Sequence, residues 1–348
     1  MNDICFFVPS HVIARLARAE ARDTLEPGPA QRTALVSQRI REQRRHVVTE
    51  VDRTLTTFGP TASAVGTAAR EIYDDQNTWA FDVQLARAEG DSAVASQPVN
   101  NAYDGLGVTR QYYKDKLGRN SLDNLGLNLN GNVNFGVDFA NAFWDGVRMV
   151  FGNGDGVIFK EMTLGNVVAA HELTHGVTQY TAGLLYGNDE TGALNESFSD
   201  MLATAVDASV NNKTVEAHDW LIGDEVMSDQ LFGEALRNMA EPGTAYDNPI
   251  IGTDPQPRDM SGFVVGGDPH VNSGIPNRWF YLVCTELNSI DDGALIMYQT
   301  LQNLWPTAVF SDAVDVAVFQ ARILARDKKV PTNAPQVVRG AARAQGMI

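Results

Sequence analysis

The sequence predicts an α+β protein of two lobes, β-rich at the N-terminal side and α-helical at the C-terminal side, joined by one central helix and preceded by a short helical segment. Three observations carry this. Residues 70–159 break into short β-like runs separated by Gly, Asn and Asp, and the chain beyond about residue 190 turns to helical periodicity. Between them lies an apolar helical run, Val167-Val-Ala-Ala-His171-Glu172-Leu-Thr-His175-Gly-Val-Thr.

Composition narrows the class. A chain of 348 residues with 44% hydrophobic and 20% charged residues is ordered and long enough for two or three structural units. A net charge of −16 argues against nucleic acid as partner. The absence of any run of 18 apolar residues excludes a membrane-spanning helix. Residues 1–60 hold nine Arg, no Lys and seven acidic residues, a balance of +2, so the remaining 288 residues carry −18. Cys5 and Cys284 are too few for a disulfide framework. The start Met-Asn-Asp-Ile-Cys-Phe-Phe-Val-Pro lacks a basic region and a long apolar core, so the expectation is a cytoplasmic protein or one exported by a signal-independent route.

Taken in order, residues 3–22 space Val12, Ile13, Leu16 and Ala17 as one helix face, and residues 31–55 form a second, Arg-rich helix. The small, turn-forming stretch from Phe58 to Thr67 is an expected linker, the kind of segment where proteolysis concentrates. Strands are expected at 70–74, 79–85, 133–135 and 147–151, with one helix at about 100–116. After the central helix, helices are expected at 192–202, 219–226, 231–239 and beyond 277, with loops over 241–270.

The central run carries chemistry. Residues four apart on a helix stand about 6 Å apart at Cβ, so His171 and His175 can close on one metal ion, and Glu172 can take the proton of a water held there. A hydrolytic zinc needs a third protein ligand and an open fourth position. Glu196 offers the ligand from the next helix, and Asp200, four residues on, can orient a liganding histidine through its other ring nitrogen. Core histidines and a solvated acidic face are the plain alternatives, but so few histidines rarely fall in this spacing by accident, and Leu194, Phe198, Met201 and Leu202 surround the acids with apolar side chains.

His171-Glu-Leu-Thr-His175, Tyr180-Thr-Ala-Gly-Leu-Leu-Tyr186 and Asn195-Glu-Ser-Phe-Ser-Asp200 together resemble the thermolysin family of zinc metallopeptidases, in particular its protealysin-like members with a short prosegment. The resemblance runs from about Tyr73 to the C-terminus. It implies a thermolysin-like fold with an inhibitory, removable prosegment over 1–60, a β-rich lobe over 61–176 ending in the zinc helix, and a helical lobe over 177–348. It implies His171, His175 and Glu196 as zinc ligands with Asn195 and Asp200 behind them, Glu172 as general base, and Tyr186 and His270 on the oxyanion. Asn141, Ala142, Trp144 and Arg237 would hold the substrate backbone. Phe159, Met162, Val168, Ile222, Val226 and Leu236 would line a primed-side pocket, and because all are apolar, cleavage is expected before Leu, Ile, Val or Phe.

The chain departs from the family at three places. Ser10 follows Pro9 where relatives have a second proline; Val265 stands where an aspartate usually holds the histidine, leaving Asp268 as substitute; and Val167 replaces a calcium carboxylate. Asp207, Asp219, Asp224 and the Leu221 carbonyl match other calcium ligands, enough for one Ca²⁺ site at most. The expected protein is thus a monomeric zinc endopeptidase made as a zymogen, acting on polypeptides and inhibited by its own prosegment. The alternatives are a catalytically silent zinc-binding interaction protein, for which no fourth protein ligand is visible, and a calcium-dependent binding module, which Val167 argues against.

Overall fold

The computed structural model describes residues 4–21, 27–51, 68–187, 189–231 and 233–348, with the side chains of 43–51 left aside; the expected linker at 58–67 lies outside these residues. The N-terminal helices are α1 (Ser10–Glu20) and α2 (Pro29–Val51). α1 buries Val12, Ile13 and Leu16, the face its 3.6-residue spacing defines. Arg15 donates to the carbonyls of Pro249 and Ile250, and Arg32 pairs with Asp138 at 2.6 Å, so the pair is fastened to both lobes.

Five strands form a mixed sheet in the order β2-β1-β3-β5-β4: β1 (Arg70–Asp74), β2 (Gln84–Ala88), β3 (Leu129–Val133), β4 (Ala142–Trp144) and β5 (Met149–Phe151). β1, β3 and β5 are parallel, and the edge strands β2 and β4 pair antiparallel with their neighbours. The expected strands at 79–85 and 133–135 are displaced by a few residues. Asp82 and Asn134 take left-handed backbone at φ 55° and 54°, which breaks the pleat just before β2 and just after β3. α3 (Gln97–Leu117) packs on β1 and β3.

Between the sheet and the helical lobe runs α4 (Asn166–Gln179), buried at every residue from Val167 to Thr178, with α5 (Glu190–Val210) packed along it and buried from Thr191 to Ala208. Helices buried all round must satisfy their polar side chains from inside the protein. Thr174 does so by donating to the Ala170 carbonyl at 2.7 Å and meeting the Tyr113 hydroxyl of α3 at 2.7 Å. Gly176 has no side chain where neighbours press on α4: a Cβ there would lie 2.7 Å from Leu122 and 3.3 Å from Trp144.

α6 (Pro269–Asn272), α7 (Gly274–Leu287), α8 (Ile290–Leu301), α9 (Phe310–Arg326) and α10 (Ala334–Ala344) complete the C-terminal lobe. The helices expected at 219–226 and 231–239 are not there. Short 3-10 turns and a two-stranded ribbon of β6 (Leu221–Ile222) and β7 (Arg237–Asn238) take their place. Gly223 and Gly233 adopt φ of 82° and 88°, which no helix continues through. The apolar spacing of Ile222, Val226, Leu231 and Leu236 reflects burial of an irregular segment.

Thr174→Val keeps the shape of α4 but leaves the buried Tyr113 hydroxyl without its partner. Denaturant unfolding should show a loss of about 1–3 kcal/mol, part of which Tyr113→Phe restores in the double variant.

Candidate active site

One turn apart on α4, His171 and His175 bring their Nε2 atoms to 3.1 Å from each other. Glu196 reaches over from α5, its carboxylate 3.3 Å from His171 Nε2 and 3.7 Å from His175 Nε2. Nitrogen and oxygen ligands of one tetrahedral zinc, each at about 2.0–2.1 Å, stand about 3.3–3.4 Å apart, so these three side chains already have metal-ligand spacing. Among the described residues, neither Glu196 oxygen nor Glu172 Oε1 has a hydrogen-bond partner, although all three atoms are buried. Glu172, Glu196 and Asp200 are fully buried and face one permanent cation, Arg237. With all three carboxylates ionised, two negative charges remain beside Arg237, the charge a divalent metal neutralises.

The remaining ring nitrogens orient the imidazoles. His171 Nδ1 donates to Asp200 Oδ1 at 2.8 Å, and His175 Nδ1 donates to Asn195 Oδ1 at 2.8 Å. Asn195 is itself fixed by donation to the Leu184 carbonyl. Asp200 is held by Arg237 through Nε and Nη2 at 2.7 and 2.8 Å, and by Asn277 Nδ2 at 2.8 Å. These bonds aim both Nε2 atoms toward Glu196. Burial opposes a charge on His171, but Asp200 and Glu196 together push it up to about 9, while burial brings His175 down to about 4. Glu172 stands beside the pair with Oε2 accepting from the Trp144 amide at 2.9 Å, and burial pushes it up to about 8.

Tyr186 and His270 meet on the other side of the cleft, hydroxyl to Nδ1 at 3.5 Å. Burial, with Glu196 adding, keeps the Tyr186 hydroxyl protonated well beyond its ordinary range. Asp268 Oδ1 accepts from His270 Nδ1 at 2.8 Å, so it takes the orienting position that Val265, 90% exposed, cannot fill. The Ser10 hydroxyl donates to the other Asp268 oxygen, which is how the segment seats without a second proline.

The positions expected to bind substrate hold residues 6–8 of the chain itself, laid along β4. The Phe7 amide donates to the Ala142 carbonyl at 3.0 Å, the Val8 amide donates to Asn141 Oδ1 at 2.8 Å, and Asn141 Nδ2 donates to the Val8 carbonyl at 3.1 Å. Arg237 Nη1 donates to the Phe7 carbonyl at 3.3 Å, and His270 Nε2 to the Phe6 carbonyl at 2.9 Å. The Trp144 amide donates to Glu172 Oε2 at 2.9 Å. Phe159, Met162, Val168, Ile222, Val226 and Leu236 are all buried in the main apolar core to which Phe7 also belongs; the Phe7 ring lies near Leu236 at Gly223 and edge-on to His171 at 5.3 Å.

The calcium positions do not fit the ion. Lys213 Nζ sits 3.4 Å from Asp219 and 3.7 Å from Asp207, and His218 Nε2 lies 3.3 Å from Asp207. A side-chain ammonium thus stands among the carboxylates of Asp207 and Asp219, with Asp224 and the Leu221 backbone nearby in the chain, and Val167 is buried with no oxygen to add.

The sequence compares with this geometry in a decisive way. Residues 38–179 match the family described as thermolysin metallopeptidase, catalytic domain, and residues 182–341 match thermolysin metallopeptidase, alpha-helical domain. An extracellular metalloprotease of Pectobacterium carotovorum subsp. carotovorum is 46% identical over 242 residues, 68% of this chain and 70% of that protein. The chain belongs to the thermolysin family of metallopeptidases. Thermolysin of Alicyclobacillus acidocaldarius is 38% identical over 214 residues, 61% of this chain but only 37% of its own length. Among solved structures, the precursor of protealysin, a metalloproteinase from Serratia proteamaculans, superposes with a TM-score of 0.83 at 35% identity, covering 99% of this chain and 100% of that one. The thermolysin-like fold, the protealysin-like character and metallopeptidase activity therefore stand, and family membership implies zinc. The cytoplasmic expectation does not: a relative sharing 46% identity is an extracellular metalloprotease, which points to export.

Asn277 on Asp200 and the Trp144 amide on Glu172 escaped sequence reading, whereas Asp268 on His270 was expected as the substitute carboxylate. Only Asp268 left a signal, as a carboxylate two residues from the histidine.

Since Lys213 already stands between Asp207 and Asp219, millimolar calcium should leave the melting midpoint of the zinc-loaded protein unchanged, while Lys213→Ala should cost up to about 1 kcal/mol. A calcium-dependent rise in the midpoint of the unsubstituted protein would contradict this account.

Proposed function

We propose that this chain is a zinc endopeptidase precursor in which residues 1 to about 60 inhibit the cleft until they are removed, with lobes over 61–176 and 177–348 forming the active enzyme. The observation that supports this most is the joint presence of three ligand-type side chains at zinc spacing and a peptide lying across the groups next to them. His171, His175 and Glu196 would hold the metal, and when bound it polarises the scissile carbonyl and acidifies water. The reading requires zinc alone and no calcium.

The work of the protein follows from its own groups. β4 offers a free edge, so the substrate backbone pairs with Ala142 whatever its side chains, and Asn141 and Arg237 fix its register. Glu172, oriented by the Trp144 amide, takes a proton from the attacking water and delivers it to the leaving nitrogen. Negative charge then develops on the former carbonyl oxygen, where His270 Nε2 and the Tyr186 hydroxyl donate; Asp268 fixes the orientation of the His270 ring. The pocket that Phe159, Met162, Val168, Ile222, Val226 and Leu236 would form is lined by buried apolar side chains, with Phe7 near Leu236, and rewards burial of a branched or aromatic side chain. The alternative of a silent zinc-binding protein leaves the buried, proton-exchanging Glu172 without a purpose.

Glu172→Gln should retain zinc by elemental analysis and lose about 10²–10⁴-fold in kcat on casein or a peptide. Unchanged hydrolysis would remove the general base from the mechanism. Profiling the mature enzyme on a peptide library should show cleavage before Leu, Ile, Val or Phe, and a dominant preference for Lys, Arg or Asp there would refute the pocket assignment.

A further inference from the structure

The seating of the N-terminal segment raises a chemical problem. Its Phe6 carbonyl accepts from His270, its Phe7 amide donates to Ala142, its Phe7 carbonyl accepts from Arg237, and its Val8 backbone is paired twice with Asn141. On the reading above, these are the groups that hold a substrate whose reacting bond joins residues 6 and 7. A peptide so placed, with its side chain in the specificity pocket and a general base beside it, is arranged for hydrolysis. The segment therefore needs a device that keeps the Phe6–Phe7 bond whole.

Cys5 is placed to be that device. It is 5% exposed, adjoins Phe6, and its Sγ lies within 4.8 Å of both a His175 nitrogen and a Glu196 oxygen, themselves within 4.8 Å of each other. Sulfur and nitrogen ligands on one tetrahedral zinc, at about 2.3 and 2.0–2.1 Å, stand about 3.5 Å apart, so the sulfur's separation from His175 exceeds ligand spacing by at most about 1.3 Å. An independent feature of the same spot points to a ligand: both Glu196 oxygens are buried without a hydrogen-bond partner among the described residues. Cys284, by contrast, is buried between α7 and α8, its sulfur against Gly293.

We propose that the Cys5 thiolate is the fourth zinc ligand of the uncleaved chain, protecting the Phe6–Phe7 bond by filling the position the attacking water requires. This rests on the zinc-peptidase reading. The thiol releases its proton to solvent as the Zn–S bond forms and the water leaves; the reverse exchange restores an open position. Ligation by Cys5 makes the segment a latch controlled at one sulfur.

The test uses intact, zinc-loaded full-length protein. X-ray absorption at the zinc edge should show one sulfur at about 2.3 Å beside nitrogen and oxygen at about 2.0–2.1 Å, and the sulfur should vanish in Cys5→Ala. A shell of nitrogen and oxygen alone in the unsubstituted chain overturns the proposal and leaves the zinc-peptidase reading standing; a chain that binds no zinc sinks both. On the unsubstituted protein, mass spectrometry after iodoacetamide should find Cys5 protected with zinc present and labelled after chelation, with Cys284 as the internal reference. Equal labelling of Cys5 in both states overturns ligation without relying on a variant. Finally, Cys5→Ala should accumulate chains beginning at Phe7, and a variant that binds zinc yet stays whole overturns the protective role.

Discussion

Asp200 is the point through which the buried charge of this protein is balanced. Its two oxygens accept from His171 on α4, from Arg237 on β7 and from Asn277 on α7, with no exposure to water. Placing ions in such an interior costs several kcal/mol each unless every lone pair and proton is used, and removal of one partner leaves an uncompensated charge. The same contacts that aim His171 therefore hold the helical lobe against the central helix. Folding and site assembly are one event here, because neither α4 nor α5 has a solvated face on which its polar residues could rest.

What the sequence could express is whatever depends on spacing along one helix. His171, Glu172 and His175 on α4 and Glu196 with Asp200 on α5 were legible for that reason, and the structure brings them together as expected. The segment from 219 to 239 was misread because buried residues in an irregular chain can fall at helix-like intervals; only the backbone at Gly223 and Gly233 reveals the difference. Contacts made by backbone atoms, such as the Trp144 amide on Glu172, leave no trace in residue type at all. Neither does a partner such as Asn277, which is 77 residues from the aspartate it serves. The substitution of Lys213 for a calcium ion was hidden likewise, since a lysine in a loop is ordinarily a solvated one.

The N-terminal segment shows which forces seat a peptide along β4. Its balance of +2 against a body of −18 gives attraction, but exposed charges are screened beyond about 8–10 Å at ordinary salt. Complete burial of Phe7 and Val8 contributes about 1.5–3 kcal/mol each before ordering is counted, and five main-chain bonds fix register. Recognition through backbone tolerates changes of side chain. Ser10 adds a side-chain bond to Asp268, which in turn orients His270. The segment thus engages His270 both directly, at the Phe6 carbonyl, and through Asp268.

An inhibitor bound in the direction of a substrate is a poor inhibitor unless the reaction is interrupted elsewhere, since tethering raises its local concentration and good alignment favours attack. Misalignment is one way out, but the bonds at Phe6, Phe7 and Val8 have ordinary lengths and occupy each substrate-holding group in turn. The remaining way is to withhold the nucleophile. Closed zinc sites with four protein ligands are structural and sites with three are catalytic. With Cys5 as fourth ligand, one metal would be of the first kind while the segment is attached and of the second once it is gone. The distinction that separates a silent zinc protein from a peptidase would then separate two states of the same chain.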